Sequence, residues 1–137
     1  MAVTTSTVQV LWSGAATKSI AAAGNATSDA FTIDAACIRL SAMCYGDNGG
    51  TPASGDTATF YLLPTLGDPL NDPDSSDVYA TTTQGILLGV IDTFITDPAA
   101  IVVEVNAAIK GGKIYAVNNI ASTRAIVVSV QFFQKLS

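Results

Sequence analysis

The stretch Arg124-Ala-Ile-Val-Val-Ser-Val-Gln-Phe-Phe-Gln134 decides the fold class of this chain. The apolar residues of one face recur at every second position: Ile126, Val128, Val130 and Phe132. A period of two is the signature of a β-strand, because successive side chains of a strand point to opposite faces. The opposite face is apolar in part as well, with Ala125, Val127 and Phe133. The stretch therefore predicts a strand that is covered on both faces.

Similar segments recur along the rest of the chain, separated by residues that favour turns. The predicted strands are Thr5–Trp12, Lys18–Ala22, Asp29–Ile33, Ala36–Tyr45, Thr57–Leu63, Val78–Thr82, Gly85–Phe94, Ile101–Ala107 and Lys113–Asn118. Val, Ile and Thr supply 39 of the 137 residues, and these β-branched types favour strands. We therefore predict one domain over residues 1–137, an antiparallel β-sandwich of jelly-roll type.

Two local patterns predict the structure of short segments, at residues 110–113 and 97–106. Lys110-Gly-Gly-Lys113 predicts a hairpin turn, because a glycine pair accepts the positive φ angles of such turns. Asp97–Asn106 could begin a helix at Asp-Pro-Ala-Ala, but its β-branched centre favours the strand.

Composition excludes several classes of function. Charged residues make up 12% of the chain, the net charge is −5 and histidine is absent. Without histidine, Ser–His and Cys–His nucleophiles are excluded, so we predict no catalytic residues and keep an aspartate-based enzyme only as a weak alternative. The six basic residues are scattered, so no nucleic acid partner is expected. The apolar runs are shorter than the ~20 residues of a membrane helix, so no membrane partner is expected either.

The two cysteines, Cys37 and Cys44, fall in one predicted strand. Seven residues of strand place them about 23 Å apart and on opposite faces. They cannot form a disulfide with each other, since that bond needs Cα atoms within about 7 Å. We expect them to act as small buried apolar residues in a reducing compartment.

The acidic residues concentrate in the loop at 65–77. It holds four aspartates and no basic residue: Asp68, Asp72, Asp74 and Asp77. Clustered carboxylates suit a hard cation such as Ca²⁺, although the spacing is not that of an EF-hand. The alternative is a solvated loop in which Asp and Pro shape the backbone. Calcium is thus the one cofactor that we consider, and otherwise none is expected.

Strands that are apolar on both faces predict a surface covered by another subunit. The candidate interface residues are Trp12, Val102, Val127, Phe132 and Phe133. The alternative is that a closed barrel or an additional loop covers the second face.

From residue 57 to 134 the layout resembles a known group of proteins. The similar segments are Thr59-Phe-Tyr-Leu-Leu63, Gly67-Asp68-Pro69, Asp77-Val-Tyr-Ala-Thr81, Leu87-Leu-Gly-Val-Ile-Asp92, Tyr115-Ala-Val-Asn-Asn119 and Arg124-Ala-Ile-Val-Val-Ser-Val130. This resembles small virion proteins of tailed bacteriophages that decorate or cement the capsid. The resemblance implies a binding protein in the virion that forms a homo-oligomer, often a trimer, and holds major capsid protein subunits together.

Two other functions stay open. One is a structural component of a phage tail, neck or fibre. The other is a calcium-dependent carbohydrate-binding module, for which exposed aromatic residues near the acidic loop, such as Tyr61 and Tyr79, would be needed.

Overall fold

The computed structural model describes residues 3–65 and 85–137. These residues form ten β-strands and no helix. The strands are β1 (Thr4–Gln9), β2 (Lys18–Ile20), β3 (Asn25–Thr27), β4 (Phe31–Thr32), β5 (Cys37–Asn48), β6 (Thr57–Pro64), β7 (Ile86–Asp92), β8 (Ala99–Val105), β9 (Gly111–Asn118) and β10 (Ile126–Leu136). The predicted strand Val78–Thr82 lies outside the described residues.

The strands form two antiparallel sheets that pack as a sandwich. The first sheet has the order β1-β10-β5-β8, with β2 also paired to β10. The second has the order β3-β9-β6-β7, with β4 also paired to β9. The successive pairs β1–β10, β3–β9, β5–β8 and β6–β7 are those of one long hairpin rolled onto itself, which is the jelly-roll arrangement. The predicted fold class is confirmed.

The core lies between the sheets and follows the alternation along the strands. All four inward residues of β10 are fully buried, as the sequence pattern predicts: Ile126, Val128, Val130 and Phe132. The Phe132 ring lies 4.6 Å from the ring of Phe31 in the second sheet, measured between centroids. Burying a side chain of this size stabilises the fold by about 1.5–3 kcal/mol, so this row of β10 holds the two sheets together.

A bulge near the start of β5 corrects two predictions. Arg39 pairs with Lys135 and Cys37 pairs with Leu136, so Ile38 is an extra residue in the ladder. An extra residue reverses the alternation on one side of it. Strict alternation along the predicted strand Ala36–Tyr45 puts Ile38 on the same face as Leu40, but the bulge leaves Ile38 exposed. Cys37 packs against the core instead, so the two cysteines do not lie on opposite faces as predicted, and both are free thiols.

A second bulge changes the faces of β7. Phe60 of β6 pairs with Gly89, but the next residue, Tyr61, pairs with Leu87, which leaves Leu88 as the extra residue. Strict alternation along the predicted strand Gly85–Phe94 puts Ile86 and Val90 on the same face as Leu88. Leu88 is buried, whereas Ile86 and Val90 are exposed.

The glycine pair Gly111-Gly112 is not a hairpin turn, contrary to the prediction. Both residues lie in β9, between β4 and β6, and neither has a positive φ angle. A Cβ atom at Gly111 would collide with the carbonyl oxygen of Phe31, so glycine is needed for close approach of the strands. The chain crosses from the first sheet to the second between β8 and β9. The helix considered for Asp97–Asn106 is excluded, because Ala99–Val105 pairs with β5 along its whole length.

Candidate binding surfaces

The acidic residues proposed as calcium ligands fall in a part of the chain that the structure does not describe. Asp68, Asp72, Asp74 and Asp77 all lie between residues 66 and 84. Within residues 3–65 and 85–137, no group of three or more His, Cys, Asp or Glu side chains is placed to hold a metal ion. Calcium binding by the acidic loop stays a prediction.

The five candidate interface residues divide into two groups. Trp12 and Phe132 are buried in the core, at 3% and 0% exposure, so they cannot form an interface with another subunit. Both interface predictions are wrong for the same reason, because each side chain lies on the inward face of its strand or loop. Val102, Val127 and Phe133 lie on the outer face of the first sheet, where Val102 is the most exposed of the three. Their role in an interface stays a prediction.

The main exposed apolar surface lies on one side of the sandwich. β7 and β8 are the last strands of their sheets in the described chain, and they run beside each other. Of the ten large apolar side chains that are exposed in the described residues, six lie on these two strands or on the link between them: Ile86, Leu87, Val90, Phe94, Ile95 and Val102. We call these six residues the β7–β8 band. Exposed apolar side chains gathered along one edge of a fold make the band the candidate interaction surface of the described chain.

Two apolar grooves run along this side. One, of about 260 Å³, lies between the end of β7 and the start of β8 and is lined by Val90, Ile95 and Ile101, among others. The other, of about 150 Å³, lies further along, between Leu87 and Val105. Gly89 separates them, because a Cβ atom there would collide with the Ile101 side chain. The two strands therefore approach closely at Gly89 and Ile101.

Sequence reasoning missed most of the β7–β8 band, naming only Val102. The signal was present in the unbroken apolar run of residues 86–91. Such a run predicts a strand buried on both faces. In the fold β7 is an edge strand with a bulge, so much of that run faces outward.

A pair of tyrosines lies on the outer face of the second sheet. Tyr61 of β6 is directly opposite Tyr115 of β9, with ring centroids 6.0 Å apart and planes inclined by 34°. Thr27 and Leu87 extend this row across the sheet on either side. Both rings are half-buried, so part of each side chain is accessible to solvent. Tyr79, the other aromatic residue named for sugar binding, lies outside the described residues.

A buried polar network closes one end of the sandwich. The Asp56 carboxylate accepts hydrogen bonds from the backbone N–H of Ala53, from Asn48 Nδ2 and from the Arg124 guanidinium. The Ala53 bond lowers the pKa of Asp56, burial opposes that effect, and Arg124 and Asn48 lower the pKa further. Thr93 donates from its hydroxyl to the Asp56 carbonyl oxygen. These hydrogen bonds join three segments of the chain, residues 48–56, Thr93 and Arg124. We therefore assign the network a structural role.

Neither cysteine forms part of a reactive centre that the described residues reveal. Cys44 is fully buried on β5, and burial raises the pKa of its thiol to about 12. The thiol stays protonated at neutral pH, and a protonated thiol is a poor nucleophile.

No protein-family model matches the chain, and no curated protein matches it. Two solved structures are similar in shape. One is a protein described as "Family 16 Carbohydrate Binding Module-2", with a TM-score of 0.39 and 9% identity over 80% of this chain and 70% of that chain. The other is FlhE, with a TM-score of 0.37 and 11% identity over 98% of this chain and 96% of that chain. Likenesses at this level identify no ligand for this chain.

No helix in the described residues is long and apolar enough to cross a membrane.

Proposed function

We propose that this protein is a non-catalytic structural component that works with the β7–β8 band covered by other protein. The band carries the proposal, because it gathers six exposed apolar side chains on one side of a chain that has few charges. Charged residues normally keep a monomer apart from its neighbours. On this side only Asp92 and Glu104 line the two grooves, and no basic residue does.

The specific form that we propose is a decoration or cement protein of a tailed-phage capsid. The sequence resemblance supports it, as does the jelly-roll architecture, which viral capsid domains commonly use. Because one fold serves many functions, the architecture supports this less strongly than the band does. The partners would be further copies of this chain and a major capsid protein, and the location would be the virion. A tail, neck or fibre component would use the same surface in another part of the particle.

The mechanism follows from binding equilibria. A protein that binds only the assembled shell lowers the free energy of that shell and leaves the free capsid subunits unchanged. At a free concentration one hundred times the Kd, the gain is about 2.7 kcal/mol for each site. Many symmetric sites on one particle therefore make the shell resistant to heat.

The test is co-sedimentation with particles assembled from the major capsid protein of the same virus. We expect the wild-type protein to sediment with the particles and to raise their disassembly temperature. Ile95→Ser combined with Phe94→Ser should abolish both effects, because these side chains lie exposed in the link between β7 and β8. Leu11→Ser is the matched control, since Leu11 is also exposed but lies beyond β1. Absence of binding by folded wild-type protein would refute the capsid role.

A second candidate function is carbohydrate binding, favoured by the pair Tyr61 and Tyr115. Paired tyrosine rings on a sheet give an apolar surface with polar hydroxyl tips. Thr59 lies two residues before Tyr61 on β6 and Asn119 immediately follows β9, and Asn119 Nδ2 donates to Thr59 Oγ1 at 2.9 Å. These polar groups could hydrogen-bond sugar hydroxyls.

A glycan array separates the two functions. A carbohydrate-binding module should bind defined oligosaccharides, and Tyr61→Ala and Tyr115→Ala should each remove that binding. Tyr45→Ala is the control, since Tyr45 is similarly half-buried but lies on the first sheet. Repeating the array with EDTA tests the predicted calcium requirement of the acidic loop. A clean array with intact particle binding would exclude the carbohydrate function.

A further inference from the structure

The strand β8 is the least protected sheet edge in the described chain. It is seven residues long, Ala99–Val105, and pairs with β5 without a register shift. The other edges differ: β7 has the Leu88 bulge, β1 carries mostly threonine, serine and glutamine, and β2, β3 and β4 have three, three and two residues. Bulges, polar residues and short length are features by which natural proteins prevent edge pairing. β8 has neither a bulge nor a short length, and Glu104 is its only polar residue.

The side chains of β8 are also accessible in part. Ile101, Val103 and Val105 point into the sandwich, yet all three remain partly exposed. On the outer face Val102 is 65% exposed. An apolar, regular edge of this kind pairs with another strand when one is available.

We propose that β8 pairs with β8 of a second copy, antiparallel and about a two-fold axis at Val102. The inference rests on the proposed function in one respect, namely that the protein works as a homo-oligomer. The proposed contact joins the first sheet of one copy to the first sheet of the other, which gives one continuous sheet. A two-fold contact uses the same patch on both copies, which requires that patch to be self-complementary.

Charge favours a second copy as the occupant. The only charged residue of β8 is Glu104. In a register centred on Val102, Glu104 lies opposite Ala100 of the second copy, so no two like charges meet. Glu104 is also neutralised within its own chain, because Arg39 donates to its Oε1 from Nη2 at 2.6 Å and from Nε at 2.9 Å. Two acidic molecules can therefore join at β8 without repulsion in the contact.

The register makes a specific prediction, because residue 102 meets its own counterpart across the axis. Val102→Lys places two lysines opposite each other, and Val102→Glu places two glutamates opposite each other. Like charges directly opposite destabilise a strand pair, and opposite charges stabilise it. Each variant alone should weaken the dimer about tenfold or more, and an equimolar mixture should form a heterodimer.

Light scattering and analytical ultracentrifugation measure the outcome. Wild-type protein should have twice the monomer mass of 14.0 kDa, and each variant alone should shift toward the monomer. Val3→Lys and Val3→Glu are the matched controls, because Val3 is 52% exposed and immediately precedes β1 at the opposite edge of the sheet. Circular dichroism confirms that each variant is folded, as expected for substitutions of an exposed side chain.

Three results would overturn the proposal: a monomeric wild-type protein, a trimer, or dimers that both charged variants leave unchanged. A failure of the mixture to restore the dimer would overturn the register centred on Val102. These outcomes are independent of the particle co-sedimentation, so the assembly role can hold while the β8 contact fails, and the reverse is also possible.

Discussion

The guanidinium of Arg124 donates two hydrogen bonds to a single carboxylate oxygen of Asp56, at 2.6 Å from Nη2 and 3.1 Å from Nε. Arg124 lies just before β10 and Asp56 just before β6, so the ion pair joins the two sheets at one end of the sandwich. The Asp56 side chain is 5% exposed and that of Arg124 24%. The other ion pair in the described residues, Arg39 with Glu104, is far more exposed, at 66% and 68%.

This difference in burial predicts unequal costs for removing each arginine. Arg124→Met leaves the Asp56 carboxylate buried without its cationic partner, which is a strongly destabilising change. Arg39→Met removes an exposed pair and should lower the free energy of unfolding by about 1 kcal/mol or less. Urea denaturation of both variants measures the costs. Equal losses of stability would mean that the Arg124 pair contributes no more than a surface pair.

The same carboxylate predicts how stability depends on pH. The folded-state pKa of Asp56 lies below the ordinary value of about 3.9, so folding favours the charged form. This contribution is present in full above the unfolded-state value and is lost as the pH falls through the folded-state value. Unfolding free energies measured from pH 7 to pH 2 should therefore fall less steeply for Asp56→Asn than for wild type.

The adjacent residues Phe132 and Phe133 should respond very differently to truncation. Phe132→Ala removes a fully buried ring that contacts Phe31, and we expect a loss of about 3–5 kcal/mol. Phe133 is 39% exposed on the outer face, so Phe133→Ala should cost the isolated chain about 1 kcal/mol or less. Thermal or urea denaturation of the monomer decides this. A larger loss for Phe133 would contradict the register of β10.

A substitution at Gly111 tests whether Gly111-Gly112 lies in a strand or in a hairpin turn. Asn is well tolerated at turn positions that need a positive φ, so Gly111→Asn would be nearly neutral if Gly111-Gly112 formed a turn. In the strand, the added side chain meets the Phe31 carbonyl, and we expect a loss of about 1–3 kcal/mol. Gly55→Asn is a suitable comparison, because Gly55 has a φ of 91° and open space around it.

Most of the fold could be predicted from local patterns, and the failures have a common cause. The alternation of apolar residues in β6 and β10 matches the burial of Phe60, Leu62, Val128 and Val130. In β5 and β7 it failed next to Ile38 and Leu88, because a bulge inserts one residue and reverses the faces beyond it. A bulge depends on the partner strand, which local sequence does not contain. The same limit applies to Gly111, whose neighbour Phe31 lies 80 positions away in the chain.

By itself, the sequence determined that this protein is all-β, that it lacks histidine chemistry, and that its strands carry more apolar surface than one core requires. These properties follow from residue type and from the period of two, both of which are local. Only the tertiary structure decided which apolar residues are left outside. Phe132 and Trp12 are buried in the core. The strands β7 and β8 lie at the edges of their sheets and expose Ile86, Val90 and Val102. The physical reason is that an edge strand has a neighbouring strand on one side only. Which strands become edges depends on the pairing of strands that are distant in the sequence.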